Sequence, residues 1–224
     1  MRPRPHLAPA LTAPVLAVAL LAGCATGDDW SRPHPGPVAV GTLAPAFLAP
    51  DPTPSPEATL VPEPGSWDGI GPREGYRVVL LTAGDDAPTR AVVTAVQDWA
   101  ASEDVDLRTV EAEEPADLVP SIVEATGMGA DLVVSAGNDL IDPLALVTAS
   151  HLDQQYLVVG AEIAEPTRNV TAVDWSGASF RGEGLGASST YDPASFTAER
   201  CATAVRAGVA AVLGGVTGIV VWID

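Results

Sequence analysis

From residue 76 onwards, short apolar runs alternate with longer stretches in which apolar residues recur every three or four positions. The short runs are rich in valine and leucine, a composition typical of strands buried on both faces of a parallel sheet. The longer stretches have the spacing of amphipathic helices. Strands are predicted over residues 76–82, 105–110, 131–135, 155–160, 170–175 and 217–222, and helices over residues 88–100, 116–126, 141–151 and 193–213. The predicted fold class is therefore α/β, a doubly wound, mostly parallel sheet of about six strands with helices on both faces.

The charge of the chain restricts its possible partners. Its 224 residues include 29 acidic and 11 basic residues, and the formal net charge is −18. All the basic residues are arginine. An acidic surface repels phosphate backbones, so nucleic-acid binding is excluded as an expectation. Two cysteines and three histidines are too few for a disulfide framework or a His/Cys metal cluster, and no cofactor or metal is expected.

The first residues have the pattern of a secretory signal. Arg2 and Arg4 precede an apolar stretch over residues 7–21, and Leu-Ala-Gly at residues 21–23 leads directly to Cys24. This arrangement resembles the bacterial lipobox, in which the cysteine is lipidated and several acyl chains hold the protein on a membrane. The prediction is a lipoprotein signal peptide over residues 1–23, with Cys24 as the lipidation site of an extracytoplasmic protein. The alternatives are an ordinary signal peptide with an incidental cysteine and an uncleaved membrane anchor.

Residues 24–75 have the composition of a spacer. Proline recurs at positions 33, 35, 37, 45, 50, 52, 54, 56, 62, 64 and 72, which prevents a continuous helix and removes hydrogen-bond donors from any strand. We therefore expect an extended, lipid-anchored linker followed by a folded domain over residues 76–224. Trp67 could dock on the edge of the domain or remain solvated.

Candidate ligand-binding residues follow the predicted strands, because ligands of open parallel sheets bind beyond the carboxyl ends of the strands. They are Asp85, Asp86, Ser135, Asn138, Asp139, Glu162, Asp174 and Trp175. This set has hydroxyl, amide and carboxylate groups and no cation, which suits a neutral ligand with hydroxyl or amide groups, and Trp175 could stack on a flat ring. Each residue also has a structural interpretation: Asp86 as a helix cap, Asn138 and Asp139 in a turn before a helix, and Trp175 in the core.

Three segments of the predicted domain resemble a known family. They are residues 129–137 (GADLVVSAG), 156–162 (YLVVGAE) and 169–174 (NVTAVD). With the signal and spacer, they resemble the basic membrane protein (BMP) family, substrate-binding lipoproteins of bacterial ABC transporters with the periplasmic-binding-protein type I fold. The resemblance covers roughly residues 76–186 and implies a nucleoside ligand and an ABC permease as partner. Members of that family close two lobes around the ligand, whereas this chain has strands for one lobe only.

The expected function is that of a membrane-anchored substrate-binding-like lipoprotein for a small polar ligand. The alternative is a degenerate, non-binding module that docks on an envelope protein. An enzyme is the least expected class, because His151 is the only histidine of the predicted domain and no catalytic triad can be assembled.

Overall fold

The computed structural model describes residues 29–32, 34–163, 166–180 and 190–224. The predicted signal peptide (1–23) and Cys24 lie outside the described residues. Within them the strands are β1 (Ala39–Gly41), β2 (Thr59–Leu60), β3 (Ile70–Pro72), β4 (Arg77–Ala83), β5 (Asp106–Ala112), β6 (Leu132–Ala136), β7 (Tyr156–Val159), β8 (Ala161–Glu162), β9 (Val170–Asp174), β10 (Ser179–Phe180) and β11 (Val220–Trp222). The helices are α1 (Ala87–Ser102), α2 (Leu118–Gly127), α3 (Ile141–Thr148) and α4 (Ala198–Leu213).

Seven of these strands form one parallel sheet, in the order β2-β11-β9-β7-β6-β4-β5. The six strands predicted from the apolar runs are all in it. The chain leaves β4 toward β5 on one side and returns to β6 on the other, so the direction of strand addition reverses at β4. The fold class is thus α/β with a parallel sheet, as predicted.

Helices cover both faces of this sheet. Val78 and Leu80 of β4 belong to the cluster that includes α1 and α4. Val79 and Leu81 of the same strand belong to the cluster that includes α2 and α3. Successive residues of a strand point to opposite faces, and both faces of β4 are buried. This burial explains why residues 78–81 in the middle of the strand are all apolar instead of alternating.

The Pro-rich segment differs from the predicted spacer over its described part. Phe47 is fully buried, Leu60 and Trp67 are buried, and all three belong to the cluster on the α1–α4 face. Strand β2 extends the sheet by pairing with β11, while β1 and β3 form an antiparallel pair. A two-residue edge strand between Pro56 and Pro62 needs few ladder donors, so the prolines do not prevent it. The folded unit therefore includes residues ahead of Tyr76, and the expectation of a solvated linker is wrong for this part.

The start of the last helix also differs from the prediction. The sequence predicts a helix from Pro193, but residues 193–195 form a single 3₁₀ turn, which the Asp192 carboxylate caps by accepting a hydrogen bond from the Ala194 backbone N–H. Helix α4 begins at Ala198, where the Thr197 hydroxyl oxygen accepts a hydrogen bond from the backbone N–H of Arg200. No helix in the described ranges is both long and apolar enough to cross a bilayer.

Candidate ligand-binding cleft

A narrow cleft lies at the carboxyl edge of the sheet, where the strand order reverses between β4 and β6. Its lining combines the start of α1, the turn after β6, the β7–β8 junction and the segment before α4. Ligands of doubly wound folds bind at this kind of switch point. The cavity volume is about 20 Å³, which is room for roughly one water molecule. The cleft is therefore closed in this conformation.

Asp86 forms the α1 side of the cleft and caps the helix. Its carboxylate accepts a hydrogen bond from the Thr89 backbone N–H at 3.0 Å and another from the Thr89 hydroxyl at 2.9 Å. Asp86 therefore has the structural role of a helix cap and also lines the cleft. Asp85 is exposed and outside the cleft lining, and its backbone carbonyl accepts a hydrogen bond from Arg90.

The turn after β6 places Asn138 in the cleft. Gly137 has a φ of +122°, and a Cβ at this position would collide with the carbonyl oxygen of Ala83, so only glycine allows the close turn. Ser135 is buried and also lines the cleft. The Oδ1 atom of Asn138 is buried and has no hydrogen-bond partner among the described residues. An unpaired buried acceptor is costly, so this oxygen can accept from a water or from a ligand.

Two aromatic side chains cover the opposite side of the cleft. Tyr191 and Phe196 have ring centroids 6.1 Å apart at an interplanar angle of 60°. Gly160 lies beneath them, and a Cβ there would approach the Phe196 ring to 2.5 Å. Partial burial raises the pKa of the Tyr191 hydroxyl, and the Asp86 carboxylate adds to this rise. The aromatic cover therefore lies close to the carboxylate that caps α1.

Trp175 is a core residue instead of a stacking surface. It is 1 % exposed. Its indole N–H donates a hydrogen bond to the Ser195 hydroxyl at 3.0 Å. Phe196 packs against the ring edge-to-face, with centroids 4.9 Å apart. Stacking of Trp175 on a ligand is not possible in this conformation, and its structural interpretation fits the geometry better.

Glu162 and Asp174 form a buried carboxyl pair near the same edge, 6 % and 3 % exposed respectively. The Asp174 carboxylate accepts a hydrogen bond from the Trp175 backbone N–H at 2.8 Å. Burial raises the pKa of both carboxyl groups, and for Asp174 the neighbouring Glu162 carboxylate adds to the effect of burial, so that its pKa rises to about 8. Neither residue lines the cleft. The pair therefore lies inside the fold instead of facing a ligand.

The electrostatics of the lining restrict the ligand. The residues around the described part of the cleft include one carboxylate, Asp86, and no arginine, lysine or histidine. Asp139, the remaining candidate, is exposed and outside the lining. No group of three or more metal-binding side chains occurs in the described ranges. Among the described lining residues an anionic group has no positive side chain as a partner, so the chemistry of this part of the cleft favours a neutral ligand.

Of the eight candidates, the structure brings Asp86, Ser135 and Asn138 together in the cleft and leaves the other five outside its lining. Tyr191 and Phe196 were not among the predicted site residues. They flank the 3₁₀ turn at residues 193–195, where the sequence predicted the start of a helix, and nothing in the spacing of that segment shows that it folds back over the cleft. The sequence signal for this aromatic cover was limited to two aromatic residues on either side of a short turn.

Comparisons with known proteins give similarity of fold only. The chain matches no family model and has no significant match among curated proteins. A solute-binding protein of an ABC transporter system from Aeropyrum pernix K1 is 20 % identical, with a TM-score of 0.41 over 45 % of this chain and 29 % of that chain. A putative lipoprotein fragment from Peptoclostridium difficile 630 is 17 % identical, with a TM-score of 0.44 over 63 % of this chain and 99 % of that one.

A transcriptional activator from Bacillus halodurans is 18 % identical, with a TM-score of 0.39 over 45 % of this chain and 35 % of that chain. The chain thus spans less than a third of the solute-binding protein. At these identities and TM-scores nothing about function follows from the likeness.

Proposed function

We propose that the protein is an extracytoplasmic, lipid-anchored substrate-binding-like protein that recognises a small neutral polar ligand of the nucleoside class for an ABC transporter. The observation that carries the proposal is the buried Oδ1 of Asn138 at the switch point of the sheet, which has no hydrogen-bond partner in the part of the chain that the structure describes. A ligand hydroxyl or amide N–H would satisfy this acceptor.

The lining suits the two halves of a nucleoside. Asp86 and Asn138 supply acceptors for sugar hydroxyls, and Ser135 supplies a hydroxyl that both donates and accepts. Tyr191 and Phe196 supply flat surfaces for a base. Since no cation lines the described part of the cleft, a nucleoside is favoured over a nucleotide.

The BMP resemblance adds support, because its three segments end at the edge of the sheet where the cleft lies. Residues 129–137 contain β6 and the Gly137 turn, residues 156–162 contain β7 and β8, and residues 169–174 contain β9. Strands β6, β7 and β9 are neighbours in the parallel sheet and end at the same edge, so the three segments are adjacent in space.

Binding requires the cleft to open. A cavity of about 20 Å³ is far below the roughly 300 Å³ and more of sites that enclose small molecules. Tyr191 and Phe196 are the side chains that must move, because they cover the cleft without being part of the sheet. The ligand must supply the free energy of this opening, which lowers the apparent affinity.

The test measures thermal stabilisation by adenosine, guanosine, cytidine and uridine at millimolar concentration, with each nucleoside 5′-monophosphate as the charged control. A nucleoside is expected to raise the melting temperature, and its monophosphate to raise it less. Asn138→Ala should weaken the effect about tenfold, since it removes the acceptor, whereas the exposed Asp139→Ala should leave it unchanged. If none of the four nucleosides stabilises the protein, the proposal is wrong.

The small cavity also favours a second candidate, a non-binding module that docks on an envelope protein. In that case the half-exposed Tyr191 at the closed cleft would be part of the docking surface. A photo-crosslinking amino acid at position 191 should then attach one envelope protein in intact cells, and no small ligand should shift the melting temperature. Stabilisation by a nucleoside would instead support the first proposal.

A further inference from the structure

Trp30 is fixed to the edge of the sheet opposite the cleft. Its ring is 8 % exposed. The indole N–H donates a hydrogen bond to Asp106 Oδ2 at 2.6 Å. The guanidinium groups of Arg108 and Arg77 lie 4.2 and 5.5 Å from the ring centroid. A tryptophan held by a charge-assisted hydrogen bond and by cations over its ring is a firm attachment point.

His34 provides a second attachment point at the same edge. Its Nε2 lies 2.8 Å from Asp131 Oδ2, which also accepts a hydrogen bond from the backbone N–H of Arg77 at 2.9 Å. The Arg77 side chain donates in turn to the carbonyl oxygens of Asp29 and Arg32. We call Trp30 and His34 with these partners the N-terminal clasp.

The clasp and the cleft lie at opposite ends of the strands. Arg77 and Asp106 are the first residues of β4 and β5, and Asp131 directly precedes β6. Asp86 and Asn138 in the cleft follow the other ends of β4 and β6. Strand β4 has 7 residues, so the two edges are separated by about 20 Å.

The chain between the predicted lipidation site and the clasp is short. Cys24 precedes Trp30 by only six positions, so even a fully extended chain spans at most about 20 Å. On a protein anchored through Cys24, the clasped edge must therefore remain within this distance of the bilayer surface.

We infer that the N-terminal clasp orients the anchored domain on the membrane, with the amino edge of the sheet toward the lipid and the cleft facing away. The inference rests on the lipid anchor of the proposed function and is independent of the ligand. While the clasp is closed, the cleft cannot turn toward a permease in the same membrane. Release of Trp30 and His34 would free the chain as far as β1, a reach of about 50 Å, and would permit that rotation.

Two alanines at opposite ends of α1 provide matched positions for the test. Ala87 and Ala101 are both exposed. Ala87 lies at the cleft edge and Ala101 near the clasped edge, because the helix returns antiparallel to β4. They are about 20 Å apart along the helix. Cys201, the cysteine in the described ranges, is fully buried and will label poorly.

The experiment uses the full-length chain expressed with its own leader, purified from membranes and reconstituted into phosphatidylcholine vesicles that contain an acceptor lipid. A donor dye is attached to Ala87→Cys or to Ala101→Cys, and energy transfer to the vesicle is measured. Transfer from position 101 is expected to exceed transfer from position 87 several-fold. In the background of Trp30→Ala with His34→Ala, the difference should largely disappear, with cooperative urea unfolding as the check that the domain remains folded.

The possible failures are distinguishable. If the protein is attached to vesicles but transfer from position 87 equals or exceeds that from position 101, the orientation is wrong and the anchor stands. A difference that persists unchanged in the doubly substituted protein likewise contradicts the role of the clasp. If the protein does not associate with membranes, or if Cys24→Ser leaves its association unchanged, the lipid anchor is wrong and the orientation with it.

Discussion

Replacing Asp174 with asparagine is expected to remove a pH dependence from the stability of the fold. Burial and the neighbouring Glu162 raise the pKa of Asp174 from its ordinary value of 3.8 to about 8. In the unfolded chain the carboxyl group ionises near pH 4, so between pH 4 and 8 the folded state binds the additional proton. The contribution of this proton to the free energy of unfolding is fully present below pH 4, and it is lost as the pH rises toward 8.

The magnitude follows from the number of protons. One extra proton bound by the folded state lowers the free energy of unfolding by about 1.4 kcal/mol for each pH unit within the window. Between pH 5 and pH 7 the wild-type protein should therefore lose about 3 kcal/mol through this group. An asparagine at position 174 mimics the protonated acid: its oxygen can still accept from the Trp175 N–H and its amide can donate to Glu162. It does not titrate, so this loss should be absent.

The assay is urea unfolding at pH 5, 6 and 7, followed by tryptophan fluorescence. The advantage of Asp174→Asn over the wild type should already be about 1.4 kcal/mol at pH 5, about one unit above the pKa of the unfolded carboxyl group, and should grow progressively as the pH rises. Asp139→Asn, an exposed carboxylate at the same edge, controls for the loss of one charge. If the wild type and Asp174→Asn show the same change in unfolding free energy from pH 5 to pH 7, the buried proton does not exist.

Three further substitutions test the fold. Phe47→Ala should lower the free energy of unfolding by about 3–5 kcal/mol, measured by urea denaturation, because Phe47 is fully buried, whereas a solvated spacer would lose nothing. Asp86→Ala should lower the stability by about 1 kcal/mol through the lost cap on Thr89, whereas Asp86→Asn should retain most of it. Gly208→Ala should cost about 1–3 kcal/mol in the same measurement, because a Cβ would lie 2.5 Å from Leu157 where α4 crosses the sheet. If Phe47→Ala, Asp86→Ala or Gly208→Ala unfolds at the same urea concentration as the wild type, the contact that this substitution tests is wrong.

The sheet could be predicted because a parallel strand buried on both faces has a local signature. Most positions of strands β4, β6, β7 and β9 are apolar, and this pattern does not depend on what the rest of the chain does. Strand β2 has no such signature. Its two residues belong to the sheet only because β11 offers a free edge, which is a tertiary circumstance.

The candidate site was predictable in part for the same reason. Asp86, Ser135 and Asn138 follow or end neighbouring strands, and parallel topology alone brings them to one edge. Trp175 also follows a strand, but its side chain is buried against Ser195 and Phe196, residues twenty positions further along the chain. Whether a strand-end side chain faces a cleft or the core depends on the return path of a later segment, which residue spacing does not specify.

That later segment connects the stability of the core to the opening of the cleft. Ser195 holds the Trp175 indole and Phe196 packs on its ring, so the aromatic cover is closed by contacts that lie outside the cleft. Ser195→Ala removes a hydrogen bond worth about 1 kcal/mol and should lower the melting temperature. The same loss reduces the cost of opening, so the apparent affinity for a nucleoside should increase up to about fivefold, although no ligand contact has been added. Calorimetric titration of Ser195→Ala beside Asp139→Ala measures this, and an affinity that falls with the melting temperature would show that the ligand needs the cover in its closed position, against the proposed opening.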